Sequence, residues 1–318
     1  MEMLAKIKIS IIGGGGVVGS SSAYRIAQDG KASEIVLVDT QRNLSEAHAL
    51  DIEQAITQRG TTRVYAGEIK DTHKSDVIII AASGPHRTSQ SSRAEFLPQN
   101  LTLAMNLVGE LLSYSPSALW LFATVPVDPI VYLAHQTFSL PRQKVIGINQ
   151  NDSFRFRWAI SKILSVPSTE IEAFVLGEHG LTQVLIFSNI QVNGKKISLN
   201  QEQMERITAM AMAFLPQWRK WQPGRTAGWT TAESIGGIVS SIISDDGRIW
   251  TCSTPLGGEY GLQQVSLGVP VRISSKGVKE IIELNLDPNE KERLKASAQT
   301  IQEQIKQGQL LLERNGRP

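Results

Sequence analysis

One cysteine, Cys252, stands in 318 residues. That excludes an internal disulfide framework and any cysteine-built zinc cluster, and Cys252 reads as a buried, inert thiol in a reducing compartment. Charge of one sign is also missing. Lys and Arg number 32 against 30 Asp and Glu, a net +2, so neither nucleic acid nor an acidic membrane surface is called for as a partner. No apolar run approaches the ~20 residues that span a bilayer. The start, Met1-Glu2-Met3-Leu4-Ala5-Lys6, runs into a strand-like Ile7 to Ile12 with no basic n-region and no small-residue cleavage site. A cytoplasmic protein is the expectation. Repeats and low-complexity tracts are absent too, and the length fits two packed domains.

The first half alternates short β-branched runs with segments of helical spacing. Strands are expected at Ile7 to Ile12, Ile35 to Val38, Val77 to Ala81, Leu119 to Ala123 and Val145 to Ile148, with helical stretches such as Ser20 to Asp29 and Leu101 to Leu112 between them. Mostly apolar strands alternating with helices predict a parallel sheet covered on both faces. After about Asn149 the pattern changes. Asn193-Gly194 between Ile190-Gln191-Val192 and Lys195-Lys196-Ile197 predicts a hairpin, and Trp250 to Thr254 and Val265 to Ile273 read as further strands around Gly257-Gly258. Asn289 to Leu310 sets Leu294, Ala298, Ile301 and Ile305 on one helical face. The expected division is residues 1–148 and 149–318. Trp218, Trp221 and Trp229 read as core packing of a helix and its following loop.

Gly14-Gly15-Gly16-Val17-Val18-Gly19 fits G-x-G-x-x-G between a strand and a helix. Gly14 suits the tight turn, Gly16 lets backbone approach a pyrophosphate, and Gly19 lets helix and strand pack closely. Asp39 ends the second strand 20 residues beyond Gly19, where a carboxylate accepts hydrogen bonds from adenosine ribose hydroxyls and repels a 2′-phosphate. NAD is therefore expected over NADP, with Arg42 close enough to soften the preference.

Gly177-Glu178-His179-Gly180 follows an apolar run, and Asp152 lies 27 residues before His179. Reduction of a 2-oxo acid needs a proton donor beside the carbonyl, which histidine supplies near neutral pH. A carboxylate on its far nitrogen would fix the tautomer. Arg155 comes one helical turn after Asp152, so both can face one site, and its planar fork suits a carboxylate. Ser83 to Arg93 is a polar loop at the carboxyl edge of a buried strand, and it reads as a lid.

From Gly14 to the C-terminal helix the chain resembles the lactate/malate dehydrogenase family. The resemblance rests on the glycine turn, Asp39, the Gly84 to Arg93 loop, Pro126-Val127-Asp128, Asn151-Asp152-Ser153-Phe154-Arg155-Phe156-Arg157, Gly177-Glu178-His179-Gly180 and Lys276-Gly277-Val278. It implies a Rossmann-type, doubly wound α/β domain binding NAD, then an α+β substrate domain with antiparallel strands. It also implies His179 as acid/base, Asp152 as its orienting carboxylate, Arg155 as carboxylate anchor and Arg93 as the loop arginine that polarises the carbonyl on closure. Cofactor contacts fall on Gly14, Gly16, Val17, Val18, Gly19, Asp39, Ser83, Gly84, Asn100 and Val125. No metal is implied. A homodimer or homotetramer is, with Leu44 to Ala55 as an interface helix.

Arg87, six residues before Arg93, falls where lactate enzymes carry glutamine and malate enzymes arginine, which favours malate and oxaloacetate. Thr231 falls at a pocket-wall position where lactate enzymes often have threonine, which keeps lactate/pyruvate or a bulkier 2-oxo acid open. The family's Asn-Pro-Val-Asp is here Val125-Pro126-Val127-Asp128, its loop glycine is replaced near Ser89-Gln90, and Leu181 stands where many members have Asp. Val125 removes a side-chain donor expected at the substrate oxygen and nicotinamide ribose, with Thr124 or a water as substitute. A dehydrogenase-like NAD-binding protein with weak or lost catalysis is the alternative of a different class.

Overall fold

The computed structural model describes residues 7–85 and 94–316, with Arg219 by its backbone alone. The first half lays down β1 (Lys8–Ile12), α1 (Val17–Gln28), β2 (Glu34–Val38), α2 (Arg42–Ala55), β3 (Arg63–Ala66), β4 (Val77–Ile80), α3 (Leu97–Leu111), β5 (Leu119–Phe122), α4 (Val127–Thr137) and β6 (Val145–Ile148). Its six strands are parallel, in the order β6-β5-β4-β1-β2-β3. Strands β4, β5 and β6 are buried at every residue. That is why their sequences, Val-Ile-Ile-Ile, Leu-Trp-Leu-Phe and Val-Ile-Gly-Ile, carry no polar residue and do not alternate.

The second half continues with α5 (Gln150–Leu164), the two-residue strands β7 (Ile171–Glu172), β8 (Val175–Leu176), β9 (Val184–Leu185), β10 (Gln191–Val192) and β11 (Lys195–Lys196), and helices α6 (Gln201–Met212), α7 (Phe214–Trp221) and α8 (Trp229–Ser244). It ends with β12 (Ile249–Gly257), β13 (Gln263–Ser274), β14 (Gly277–Ile281) and α9 (Pro288–Arg314). Asn193 and Gly194 turn β10 into β11 with φ of 51° and 72°, the left-handed pair such a two-residue turn requires.

The sheet does not stop at residue 148. β12 pairs antiparallel with β6, and β13 and β14 follow, giving one nine-stranded sheet. Its core is one continuous apolar cluster, and a smaller one around Phe156, Ile160, Ile171, Leu185 and Ile207 lies under the short strands.

Helix α9 opens with reciprocal capping between Asp287 and Glu290. Its stripe of Leu294, Ala298, Ile301 and Ile305 is buried, and it packs on α3, α4 and β13. One helix thus clamps both halves. Among the described residues no helix is long and apolar enough to cross a membrane.

Candidate active site

The strand order reverses between β1 and β4, which opens a crevice at their carboxyl ends. The glycine turn leaves β1 on one side and the Ser83 loop leaves β4 on the other. Gly13 takes φ +91°, and a Cβ there would sit 2.6 Å from the Ala82 nitrogen, so the chain crosses the end of β4 with no room for a side chain. The Gly13 and Gly14 N–H groups both donate to the Val38 carbonyl, at 2.8 and 3.0 Å. A Cβ on Gly19 would lie 2.1 Å from the Gly13 oxygen, so α1 approaches β1 only because residue 19 is glycine. At Gly16 the nearest atom to a Cβ would be 3.4 Å away, and this glycine opens onto the cleft with Val17 and Val18 at the start of α1. Backbone N–H groups at a helix start form a cradle for a pyrophosphate.

Asp39 fixes the turn, its Oδ2 accepting from the Gly15 N–H at 3.0 Å and its Oδ1 from the Gln41 N–H at 2.9 Å. Arg42 is engaged elsewhere, with Glu46 at 2.8 Å and Glu68 at 3.2 Å. Its charge is therefore taken up by carboxylates, and a ribose without a 2′-phosphate fits the cleft better than one with it. The cleft has a volume of about 1230 Å³ and runs from Asp39 to Arg155, His179 and Thr231.

At its far end α5 and the turn after β8 meet. Asp152 and Arg155 project from the first turns of α5, and the Asp152 carboxylate is shared: Arg155 donates to Oδ1 at 2.7 Å, and His179 Nδ1 lies 2.6 Å from Oδ2. Asp152 and His179 are 4% and 6% exposed. The Phe214 ring lies 4.1 Å from the Arg155 guanidinium carbon and holds it in place. Three residues expected to share one site thus do so.

Sequence reasoning missed what supports His179. Its N–H donates to Asp128 Oδ2 at 2.7 Å, and the Gly177 N–H donates to Gly268 on β13 at 2.9 Å. Glu178 is anchored on α9, its N–H donating to Ser297 Oγ at 2.8 Å and its carboxylate accepting from Gln304 at 2.9 Å. Asn149, at the cap position of α5, turns its amide to Asp128 and the Gly177 carbonyl instead of capping the helix. The Pro126-Val127-Asp128 motif was visible in the sequence, but its target 51 residues away was not.

Asp128 is 1% exposed. Burial pushes its carboxyl from the ordinary 3.8 up to about 7, and the neighbouring Glu178 charge adds to the rise. Between those values the folded chain holds a proton that the unfolded chain has released, so this group makes stability fall as pH rises from 3.8 to about 7. At about 1.36 kcal/mol per pH unit the full effect is on the order of 4 kcal/mol. Asp128→Asn keeps an oxygen for the His179 N–H and removes the titration. Its stability relative to wild type, measured by urea unfolding, is expected to increase steadily over that pH range and level off above it. A difference that stays flat with pH would refute this.

Arg87 and Arg93 lie outside the described residues. The described start of their loop is tied down by Asn100, which is fully buried: its Oδ1 accepts from the Gly84 N–H at 2.8 Å and from Ser83 Oγ, and its Nδ2 donates to the Val125 carbonyl at 2.6 Å. Asn100 thus stands behind the cleft wall, whereas Ser83, Gly84 and Val125 line the cleft. Thr124 is not a substitute donor, because its hydroxyl lies 2.7 Å from the Ala82 carbonyl and 3.2 Å from that of Ile80. Leu181 is 73% exposed and does not line the cleft. The tryptophans correct an expectation: Trp221 and Trp229 are 69% and 66% exposed, and Trp218 stacks on Phe214. Trp229 lines an apolar surface hollow with Trp158 and Phe154. Among the described residues no group of three His, Cys, Asp or Glu side chains is placed to hold a metal.

Fold and site together define one class, the NAD-dependent 2-hydroxy acid dehydrogenases. Residues 7–147 match the lactate/malate dehydrogenase NAD binding domain and residues 150–311 the lactate/malate dehydrogenase alpha/beta C-terminal domain. The chain belongs to the lactate/malate dehydrogenase family, and its cofactor is NAD. It is 34% identical over 308 residues to L-lactate dehydrogenase 3 of Bacillus cereus, covering 94% of this chain and 97% of the relative. To the malate dehydrogenase of Natronomonas pharaonis it is 32% identical over 304 residues, covering 93% and 98%. Among solved structures, the Cryptosporidium parvum lactate dehydrogenase complexed with lactic acid and nicotinamide adenine dinucleotide superposes with a TM-score of 0.90 at 29% identity, covering 96% of this chain and 99% of that one. The malate dehydrogenase of the same organism gives 0.90 at 25%, with the same coverage.

Proposed function

We propose that this protein interconverts an L-2-hydroxy acid and its 2-oxo acid, with malate and oxaloacetate the favoured pair. The observation that carries the reading is the Asp152 carboxylate shared between His179 Nδ1 and the Arg155 guanidinium. His179 gives a proton to the carbonyl oxygen in reduction and takes it back in oxidation, through the ring nitrogen opposite Asp152. Asp152 orients the ring and balances the imidazolium. Arg155 anchors the substrate carboxylate. NAD bound in the cleft between the glycine turn and His179 would supply hydride chemistry to this site. Arg93 is assigned to polarising the carbonyl, and Arg87 to the distal carboxylate, which over pyruvate would leave a charge without a partner.

Relatives of both kinds stand at similar identity, so the preference rests on Arg87. Its test is NADH oxidation with oxaloacetate, pyruvate, phenylpyruvate and branched 2-oxo acids, in wild type and Arg87→Gln. Wild type is expected to favour oxaloacetate, and the variant to lose about tenfold or more of that preference. An unchanged ratio removes Arg87 as the determinant. A second reading, an NAD-binding protein with weak chemistry, is favoured by Val125. It gains ground if no substrate turns over while NADH still binds. The assembly assigned is a homodimer or homotetramer, for which α2 leaves Leu44 and Leu50 exposed.

A further inference from the structure

The cations that line the cleft are almost all committed to carboxylates. Arg42 is held by Glu46 and Glu68, and Arg155 by Asp152. A bound dinucleotide brings a pyrophosphate, with a negative charge on each phosphate. The turn that receives it, Gly13 to Gly19, has no polar side chain and offers backbone N–H groups alone. Among the described residues, Arg225 is the only arginine or lysine lining the cleft that pairs with no carboxylate.

Arg225 lies in the link between α7 and α8. Gln222 and Gly224 take φ of 46° and 68°, which turns the chain back after Trp221. A Cβ on Gly224 would meet nothing within 4 Å, so glycine serves the backbone sign there and not a close approach. The returning chain is fixed at two points. Trp218 Nε1 donates to the Arg225 carbonyl at 3.1 Å, and the Trp218 ring is stacked on Phe214. Three residues further on, Gly228 is buried against α1, where a Cβ would lie 2.6 Å from Val17 Cγ1. Val17 is the first residue of α1 and so stands at the cradle itself. Three residues of chain span at most about 11 Å, which brings Arg225 from the second half of the molecule to the edge of the glycine turn in the first.

The Arg225 side chain is exposed, and its guanidinium carbon rests 5.7 Å from the centre of the Trp229 ring. A cation over an exposed ring is held more weakly than one in a charge-assisted, two-pronged pair with a phosphate. The substrate carboxylate already has Arg155, whereas the pyrophosphate has no cationic side chain among the described residues.

We propose that Arg225 is a cofactor-binding residue: its guanidinium exchanges Trp229 for the NAD pyrophosphate and closes the α7–α8 link over the glycine turn. The contacts implied by the family resemblance all lie at or before Val125, so this one adds a cation from the other half of the chain. It concerns the binding of NAD and holds whichever 2-oxo acid is reduced.

The test is fluorescence titration of NADH into wild type, Arg225→Gln and Arg225→Lys without any 2-oxo acid, using ADP-ribose and adenosine as competitors. ADP-ribose keeps the pyrophosphate and lacks the nicotinamide; adenosine lacks both. Arg225→Gln is expected to raise the dissociation constants of NADH and ADP-ribose about tenfold and to leave that of adenosine unmoved. Arg225→Lys, which keeps the charge without the planar fork, should recover part of the loss. The dependence of NADH binding on salt should be shallower in Arg225→Gln, because one screened contact is gone. The proposal is overturned if Arg225→Gln binds NADH and ADP-ribose as tightly as wild type, or if adenosine is weakened by the same factor. It is also overturned if the loss appears only in the oxaloacetate KM at saturating NADH, which would place Arg225 on the substrate. The titration needs no turnover, so its result stands apart from that of the dehydrogenase assays.

Discussion

Replacing His179 by Asn lowers kcat by ~10³-fold, within the span that one positioned acid/base group supplies, and leaves NADH binding at the wild-type value. The split follows from how the site is built. The backbone at residue 179 is held by bonds that do not involve the imidazole: its N–H on Asp128, the Glu178 N–H on Ser297 and the Gly177 pair with Gly268. Asparagine therefore enters a preformed turn and can still accept or donate one hydrogen bond toward Asp152. It cannot exchange a proton near neutral pH. The cofactor end of the cleft, at Asp39 and Gly16, belongs to β2 and the turn after β1, elements that His179 does not support. Single-turnover rates with saturating oxaloacetate, set against fluorescence titration of NADH, separate the two quantities. Unchanged turnover in the variant would remove His179 from the chemistry, and the Asp152–His179 pair would then be a structural ion pair.

The legible part of this molecule is its local part. Five parallel strands were visible as apolar runs, the glycine turn as a motif, and the α9 stripe as a 3.6-residue period. β3 was missed because Arg63-Val64-Tyr65-Ala66 is a four-residue edge strand with an exposed first residue, too short and too mixed to register as a run. The continuation of the sheet through β12 was not visible either. It depends on Cys252 pairing with Ile148, a contact between positions that share no local signal. The site divides in the same way. Asp152 and Arg155 were legible as neighbours on one helix, and His179 by its flanking glycines and by resemblance. Asp128 beneath His179 and Asn100 behind Val125 each need two elements brought side by side. The tryptophans show the reverse error. Large apolar side chains read as core, yet Trp221 and Trp229 are mostly exposed, because composition carries no information about which face of a helix finds a partner.

Val125→Asn raises kcat by ~10²-fold, the scale on which one preorganised donor at a developing oxyanion acts. Three observations make the gain specific to this position. Val125 lines the cleft at the end of β5, and its side chain can donate nothing. The neighbouring hydroxyl is committed, since Thr124 faces the Ala82 and Ile80 carbonyls. The backbone is already pinned by the 2.6 Å bond from Asn100 to the Val125 carbonyl, so a new amide would start from a fixed main chain and only its side-chain rotamer would need ordering. The gain should fall on kcat rather than KM, because a donor that meets charge only as it develops on the oxygen stabilises the transition state more than the bound ketone. A variant whose kcat stays at the wild-type value would mean that this cleft stabilises the oxygen by another route, with the loop arginine Arg93 the first candidate. Arg93→Lys should then cost more turnover in wild type than in the asparagine variant, because the added amide would share the stabilisation that Arg93 otherwise carries alone.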